Sequence, residues 1–542
     1  MNYCRTGFRN FLSYVPGLLL ISLGIYLATE KPHTNYVIDQ IRKEAELTEG
    51  KYGYRMWKDL DIYFKVYLLH VTNPDNVMEG ENPIFEERGP YVYNLNMKKQ
   101  VTHVDEKLDE LAFTIFRTYQ FNKNASGSFS EDDQVVLLNS AYLGTLNTIV
   151  SKFPAFIGRF GNSIQNLFPK TYDVFLRSKV KDILFDGLPL ICDPVKYKDL
   201  ALLCNFLKGQ KPPIIKNTDK PGVYSYSLFD KNNYTDSDPF TVNRGVENKD
   251  ALGNTTSFKK LRVTKYWTEK ECNLVSGTDS ITWAPMTEKL PFVSVYEPNV
   301  CRRMTPNFKR EVIINGLMGY RYELDETTWL KKNMGCYCLP NAKKVPECLQ
   351  TGLLDITKCQ DAPVIFSEPH FLHADPNLLE YARGLKPDPI EHTTFITIEP
   401  LSGAPLSGSK KIQLNLNVKR IPGITLLANI SEGLFPILWA EETNVASVKL
   451  LGPIINAHRL LNVFKYFTWI PIVIGLFLIM KLMWYRSLLE PNDTLRGTNR
   501  LQVTTITTTA LRPEDNNFLR HPSQQLALIR PANRNRNRVF NK

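Results

Sequence analysis

The chain has 542 residues, 43% of them apolar and 22% charged, proportions that exclude a disordered polypeptide and leave room for a sizeable core. The net charge of +11 does not imply nucleic acid as a partner: nine arginines and one lysine oppose four acidic residues between Arg486 and Lys542, so +6 of the excess lies in a tail. No zinc-finger spacing or arginine-rich recognition helix occurs in the rest of the chain.

In chain order, the first element is "FLSYVPGLLLISLGIYLA", Phe11 to Ala28, uncharged and about as long as a membrane-spanning helix. A signal peptide cut after Ala28 would place bulky Tyr26 where a small residue is preferred, so an uncleaved anchor is expected. "HTNYVIDQIRKEAELTEG" reads as a short helix capped by Thr34 and ended by Gly50. Asn73-Pro74, Asn82-Pro83 and Gly89-Pro90 then mark three turns, with a strand from Tyr91 to Tyr93. Ser130 and Asp133 form an approximate capping box. Val135, Leu138, Tyr142, Leu146 and Ile149 continue at helical spacing, which predicts one helix ended by Pro154. A second apolar series runs through Phe153, Phe156, Phe160, Ile164 and Phe168.

Period two takes over beyond this point. "GVYSYSLF", "LRVTKYW" and "YRYEL" read as strands, and "HTTFITIEPLSGAPLSGSKKIQLNLNV" as two strands joined by a Pro/Gly/Ser turn. In the latter, Ile412, Leu414, Leu416 and Val418 alternate with Gln413, Asn415 and Asn417, the pattern of a strand with one buried face. The second apolar run, Tyr466 to Tyr485, carries a single charge, Lys481, near one end, and its Trp469, Trp484 and Tyr485 suit the interfacial belts. The expected organisation is a cytoplasmic segment 1–10, a span 11–28, an ectodomain 29–465, a span 466–485 and a cytoplasmic basic tail 486–542. Arg5, Arg9 and Arg486 beside the spans place both termini in the cytoplasm.

Four sequons, at Asn124, Asn233, Asn254 and Asn429, fall in the ectodomain and fit a secretory-side segment. Six of the nine cysteines cluster between Cys272 and Cys359, which in an oxidising compartment reads as a disulfide framework of unspecified pairing. Within it, Cys336 and Cys338 are poorly placed to bond each other, because side chains two residues apart on an extended chain run parallel. Paired C-x-x-C or Cys/His zinc spacing is absent, as are the nucleophile-elbow, zincin, P-loop and dinucleotide motifs. His370 and His373 in "SEPHFLHADPN" read as structural histidines. An enzyme is not expected, and neither is a cofactor or metal.

The run "VTNPDNVMEGENPIFEERGPYVYN" resembles the N-terminal signature of the CD36 family, the class B scavenger receptors. The resemblance continues in "CYCLP", "LDITKCQDAPVIFSEPHFLHADP", "EHTTFITIEPLSGAPL" and "FPILWAEE". It implies an α+β fold: a large antiparallel β-barrel ectodomain with an apical helical bundle, anchored by two transmembrane helices. It implies bridges Cys272–Cys336, Cys301–Cys359 and Cys338–Cys348. Cys192 and Cys204, outside the family pattern, are either a fourth bridge or two thiols, and Cys4 matches a juxtamembrane palmitoylation position. Relatives bind lipids, fatty acids or lipoprotein particles, or serve as lysosomal receptors or insect pheromone-sensing proteins; an insect member is among the readings open. The implied function is a cell-surface receptor passing apolar ligand through an internal tunnel to the membrane. The alternative is a trafficking receptor for a protein cargo, with the cavity secondary. Candidate ligand residues are Lys152, Phe153, Phe156, Arg159, Phe160 and Lys170. Leu488-Leu489 lacks the upstream acidic residue of a lysosomal signal, which favours the plasma membrane over lysosomal or endosomal membranes. Homo-oligomers are compatible with this reading.

Overall fold

The computed structural model describes residues 12–489, apart from 153, 161, 170–172, 211, 213 and 342–344. Apolar α1 (Val15–Glu30) runs into the amphipathic α2 (Pro32–Glu44), and α3 (Tyr52–Lys58) follows. The α2 helix starts two residues before Thr34, with a proline in its first turn, and ends at Ala45, well short of Gly50.

A 13-stranded antiparallel sheet forms the body of the fold. Its principal strands are β1 (Asp59–Val71), β2 (Phe85–Asp105) and β3 (Glu110–Phe121). After a separate two-stranded sheet of β4 (Gln134–Leu138) and β5 (Phe175–Lys179) come β6 (Phe240–Asn243) and β7 (Thr255–Phe258). Then follow β8 (Asn307–Ile314), β9 (Leu317–Glu323), β10 (Phe395–Ile398), β11 (Pro405–Val418) and β12 (Gly433–Val445). The ladder runs β7-β6-β3-β2-β1-β12-β11-β10-β9-β8, and among the described residues its two end strands do not pair, so the barrel expected from sequence is not a closed one. Hairpin β10–β11 holds the register that its Pro/Gly/Ser turn sets.

Three local readings are corrected. The stretch after Ser130 is not one helix: Gln134–Leu138 pairs with β5, and α4 (Ser140–Lys152) begins only after Asn139. The Asn139 side chain accepts from the Tyr142 amide at 3.0 Å, and its own amide donates to the Val174 carbonyl, so this residue makes the junction. A helical spacing of apolar residues across a strand–helix boundary looks continuous in sequence, and tertiary pairing of the valines decides otherwise. Gly89-Pro90 is no turn; it lies within β2, where the pairing with β1 shifts register between Val66 and Leu68. "LRVTKYW" forms no strand, only isolated bridges at Leu261 and Val263.

After the short helix α5 (Ala201–Gln210), the C-terminal end of the described chain is α6 (Val448–Phe467) and α7 (Ile470–Leu489). Residues Val448–Leu488 form one helical stretch long and apolar enough to cross a membrane. The α1 helix is equally apolar in character but shorter, and residue 11 at its expected start lies outside the described residues. It packs directly on α7: a Cβ at Gly24 would collide with Ile472, and one at Gly475 would come 2.6 Å from the Gly17 carbonyl oxygen. Glycines at such crossings let helix backbones approach closely where no hydrophobic effect drives association.

Candidate functional site

In β11 the sequence pattern predicts a buried apolar face, and the structure buries polar residues of the opposite face as well. Gln413 and Asn415 are 0% exposed. The Asn415 amide donates to the Ile365 carbonyl at 3.1 Å, Gln413 donates to Ser367 Oγ, and the His370 amide donates to Gln413 Oε1 at 2.7 Å. The supposed solvent face is therefore a satisfied polar layer under the 365–370 segment. The apolar face is half-buried at Ile412 and Leu414 and closed at Leu416 and Val418.

Register places those side chains on the concave side of the sheet. Lys410 is opposite Glu442 on β12, Glu442 is opposite Phe64 on β1, Phe64 is opposite Tyr93 on β2, and Tyr93 is opposite Phe121 on β3. Directly opposed residues share a face, so this face also carries Ile62, Ile115, Arg117 and Tyr119, all half-buried. Three strand spacings on a flat sheet would separate β3 from β12 by about 14 Å. Yet the Phe64 ring on β1 lies 5.3 Å from the Tyr119 ring on β3, two strands away, so side chains converge across this face, where the Arg117 charge also acts on Glu442 and Lys410. Rather than one continuous core, the buried apolar residues form separate clusters around Leu438 and Phe64, around Trp57 and Phe113, around Trp329 and Phe366, and around Tyr322 and Ile398. Of the half-buried inward residues, Ile62, Ile115, Tyr119 and Leu414 pack against the first of these clusters, Ile115 also against the second, and Ile412 against the third.

Charges on this face are specifically placed. Lys410 Nζ lies 2.6 Å from Glu442 and 3.3 Å from Glu297. Burial alone would push the Lys410 ammonium down; the two carboxylates more than offset that and hold its pKa above the ordinary lysine value. Burial likewise pushes Glu442 up, and Lys410, with Arg117 beyond it, brings the net shift below the ordinary glutamate value. Lys99, 4% exposed, sits 2.6 Å from Asp279 and 4.2 Å from the Trp57 ring centroid, and burial brings its pKa down to about 8. The Trp57 indole N–H donates to the same Asp279 carboxylate at 2.7 Å. The half-buried Arg117 acts through its charge on Lys99 as well as on Lys410 and Glu442.

At one end of β11 lies a cavity of about 380 Å³, lined by residues of α2, α3 and α6 together with Ser402, Ala404 and Pro405. Val37, Ile41, Met56, Trp57 and Ile454 give it a largely apolar wall. The Tyr52 hydroxyl donates to the Leu450 carbonyl at 2.6 Å and ties α3 to α6 there, and His458 on α6 meets the fully buried Glu399 at 3.1 Å. Both neighbouring helices lead directly into the apolar ones, α2 from α1 and α6 into α7. At the other end of β11 is the 139–168 segment: Asn147 donates to the Asn417 carbonyl, and Asn162 to the Gly423 carbonyl. A strand of 14 residues separates the two ends, roughly 45 Å at the usual rise.

Of the residues expected to bind ligand, Phe153 and Lys170 lie outside the described residues, and for Lys152, Phe156, Arg159 and Phe160 only the backbone is described. Phe168 from the same apolar series is 6% exposed and packs edge-on against Tyr142, so it serves the core. Cys4 also lies outside the described residues. The cysteines pair as Cys272–Cys336, Cys301–Cys359, Cys338–Cys348 and Cys192–Cys204, with Cα separations of 6.1, 5.8, 4.7 and 5.5 Å. Asn124, Asn254 and Asn429 are exposed; Asn233 is half-buried, with its side-chain oxygen accepting from the Tyr119 amide at 3.1 Å.

The histidines of "SEPHFLHADPN" have carboxylate partners that sequence spacing did not reveal. His370 Nε2 meets Glu87 at 2.5 Å, and the Trp439 indole N–H donates to the same carboxylate oxygen at 2.7 Å. Burial pushes Glu87 up, but these two hydrogen bonds more than offset it and leave its pKa lowered. His392 stacks on His370 with ring centroids 4.3 Å apart, and burial together with His370 drives its pKa down to about 4. Glu87, His370 and His392 are close enough to suggest a metal site. However, His392 Nδ1 accepts from the Asp388 amide at 2.9 Å, which puts the neutral ring's proton on Nε2 and makes that atom a donor rather than a ligand. The set is arranged for hydrogen bonding.

An antiparallel sheet stapled by disulfides and joined at one end to a helix long and apolar enough to cross a membrane defines the class of a membrane-anchored protein. The family model described as CD36 family matches residues 15–485. Sensory neuron membrane protein 2 of Heliothis virescens is 32% identical over 449 residues, 81% of this chain and 86% of that protein. Sensory neuron membrane protein 1 of Apis mellifera is 31% identical, covering 81% and 84%. Scavenger receptor class B member 1 of Cricetulus griseus is 30% identical, covering 79% of each. The chain belongs to the CD36 family.

Proposed function

We propose that this receptor binds apolar lipid and passes it through the space inside its curled sheet to the bilayer. The supporting observation is the half-buried apolar face of Ile62, Ile115, Tyr119, Ile412 and Leu414, which a solid core would have closed. Burying an acyl chain there yields about 0.8 kcal/mol per methylene, enough for tight binding without many polar contacts. The cavity between α2, α3 and α6 stands at the foot of this path, beside the helices that enter the membrane.

In this reading α1 and α7 both span the bilayer, with both termini cytoplasmic and residues 29–465 outside. The sequons at Asn124, Asn233, Asn254 and Asn429 carry glycans, and the plasma membrane is the site of action. The segment around Phe153 to Phe168 is the entry, with Lys152, Arg159 and Lys170 drawing in anionic lipid or lipoprotein. Purification of the full chain followed by mass spectrometry of extracted lipid tests the proposal. Stoichiometric apolar lipid supports it; lipid-free protein with a saturable protein ligand replaces it with the cargo-receptor reading.

A further inference from the structure

The two ends of the long ladder are finished differently. At β7 the Thr255 amide donates to the Gly277 carbonyl and the Phe258 amide to the Leu261 carbonyl, so neighbouring chain covers that edge. At β8 the cover stops early. The Phe308 amide donates to the Pro291 carbonyl at 2.8 Å, but among the described residues no backbone bond from 309–314 reaches beyond β9. Those six residues leave about 20 Å of open edge, the length of an ordinary strand.

Sheets usually blunt such an edge with bulges and charges. Here both devices sit at its start: the register with β9 shifts between Phe308 and Arg310, and Lys309, Arg310 and Glu311 are the exposed charges. The remainder, Val312-Ile313-Ile314, is entirely β-branched, the composition that pairs best. Ile313 is 77% exposed, and Met318, opposite it on β9, is exposed too. Lys289 holds Glu311 at 2.6 Å, whereas neither Lys309 nor Arg310 forms an ion pair among the described residues, so the free charge of the edge is cationic. No sequon falls between residues 255 and 428, so the stretch that contains the edge carries no glycan acceptor.

We propose that β8 is a docking strand for another protein, which adds an extended acidic segment to this end of the sheet. Backbone pairing supplies the attachment, an apolar side chain of the partner meets Ile313, and its carboxylates meet Lys309 and Arg310. A second copy of this chain does not fit, because it would bring the same free cations and a glutamate already held by its own lysine. The surface is independent of the lipid path.

The test uses the full-length protein in phosphatidylcholine nanodiscs and two short fluorescein-labelled peptides, one alternating glutamate with valine and the other lysine with valine. Anisotropy reads affinity, and hydrogen exchange of the 309–314 amides reads strand pairing. Wild type should prefer the glutamate peptide about tenfold, as two exposed ion pairs allow, and its binding should slow exchange at 309–314. K309E/R310E should reverse the preference. K309Q/R310Q should leave neither peptide preferred, and it carries the test should the reversed variant fail to reach the membrane. Equal affinity of wild type for the two peptides, binding without protection at 309–314, or no binding of either peptide overturns the docking strand.

Discussion

Leu414 and Leu438 are opposed across β11 and β12, yet Leu438 is fully buried and Leu414 is half-buried on the same face. Substituting tryptophan at each therefore asks whether the inward face is solid. In a close-packed core, forcing in the larger side chain costs about 1–3 kcal/mol through strained rotamers and backbone shifts. L438W should show that full cost. At Leu414 the indole has space to occupy, and burying its extra apolar surface at about 25 cal/mol per Å² offsets what strain remains. L414W should then be within about 0.5 kcal/mol of wild type. Larger domains move by about 2–4 °C per kcal/mol or less, so thermal unfolding of the purified full chain resolves the two variants. The same L414W side chain should obstruct the path, so cells displaying it at normal surface levels should take up fluorescent fatty acid poorly. A loss of stability in L414W equal to that in L438W, or unimpaired uptake, would refute the reasoning.

Removing one partner of the buried Lys99–Asp279 pair, as in D279A, should cost about 3–5 kcal/mol, whereas the paired apolar replacement K99M/D279L should lie near wild type; chemical unfolding measures both. Because Lys99 in the folded state has its pKa lowered to about 8, the unfolded chain binds more protons above that pH, and stability should rise between about pH 8 and pH 10.5 in wild type but not in K99M. Glu368 is 1% exposed, and burial raises its pKa to about 7; His373, 2.8 Å away, is raised by its bond to Glu368 despite its own burial. Both shifts make the native state hold protons that the unfolded chain releases, so stability should fall from about pH 5 to pH 7 and flatten in E368Q, as read by melting temperature against pH. Gly475→Leu should separate α1 from α7 and reduce cross-linking between cysteines introduced at the two helices, without altering the ectodomain disulfides.

Sequence patterning made the strand β11 and its hairpin with β10 legible, because alternation and turn residues are local signals. It misassigned the environment of that strand's two faces. Gln413 and Asn415 look solvent-facing until the 365–370 segment, some fifty residues away in the chain, covers them with matched hydrogen bonds. Arg117 was invisible for the same reason: a lone arginine in a strand reads as a surface charge unless curvature places it inside. The Glu87–His370 and Trp57–Asp279 contacts join residues hundreds of positions apart, and no spacing rule encodes them. The two apolar runs, by contrast, are read directly from composition, since a bilayer demands length and hydrophobicity before anything else.

The central claim is that lipid travels inside the sheet, and photo-cross-linking tests it most directly. A diazirine-bearing fatty acid is offered to cells expressing the full-length receptor, irradiated during uptake, and its adducts are mapped by peptide mass spectrometry. The account predicts adducts on the inward-facing residues Ile115, Tyr119, Ile412 and Leu414 and in the wall of the cavity between α2, α3 and α6. Adducts confined to exposed outer residues such as Tyr63 and Gln120, with none on the inward face during normal uptake, would contradict it.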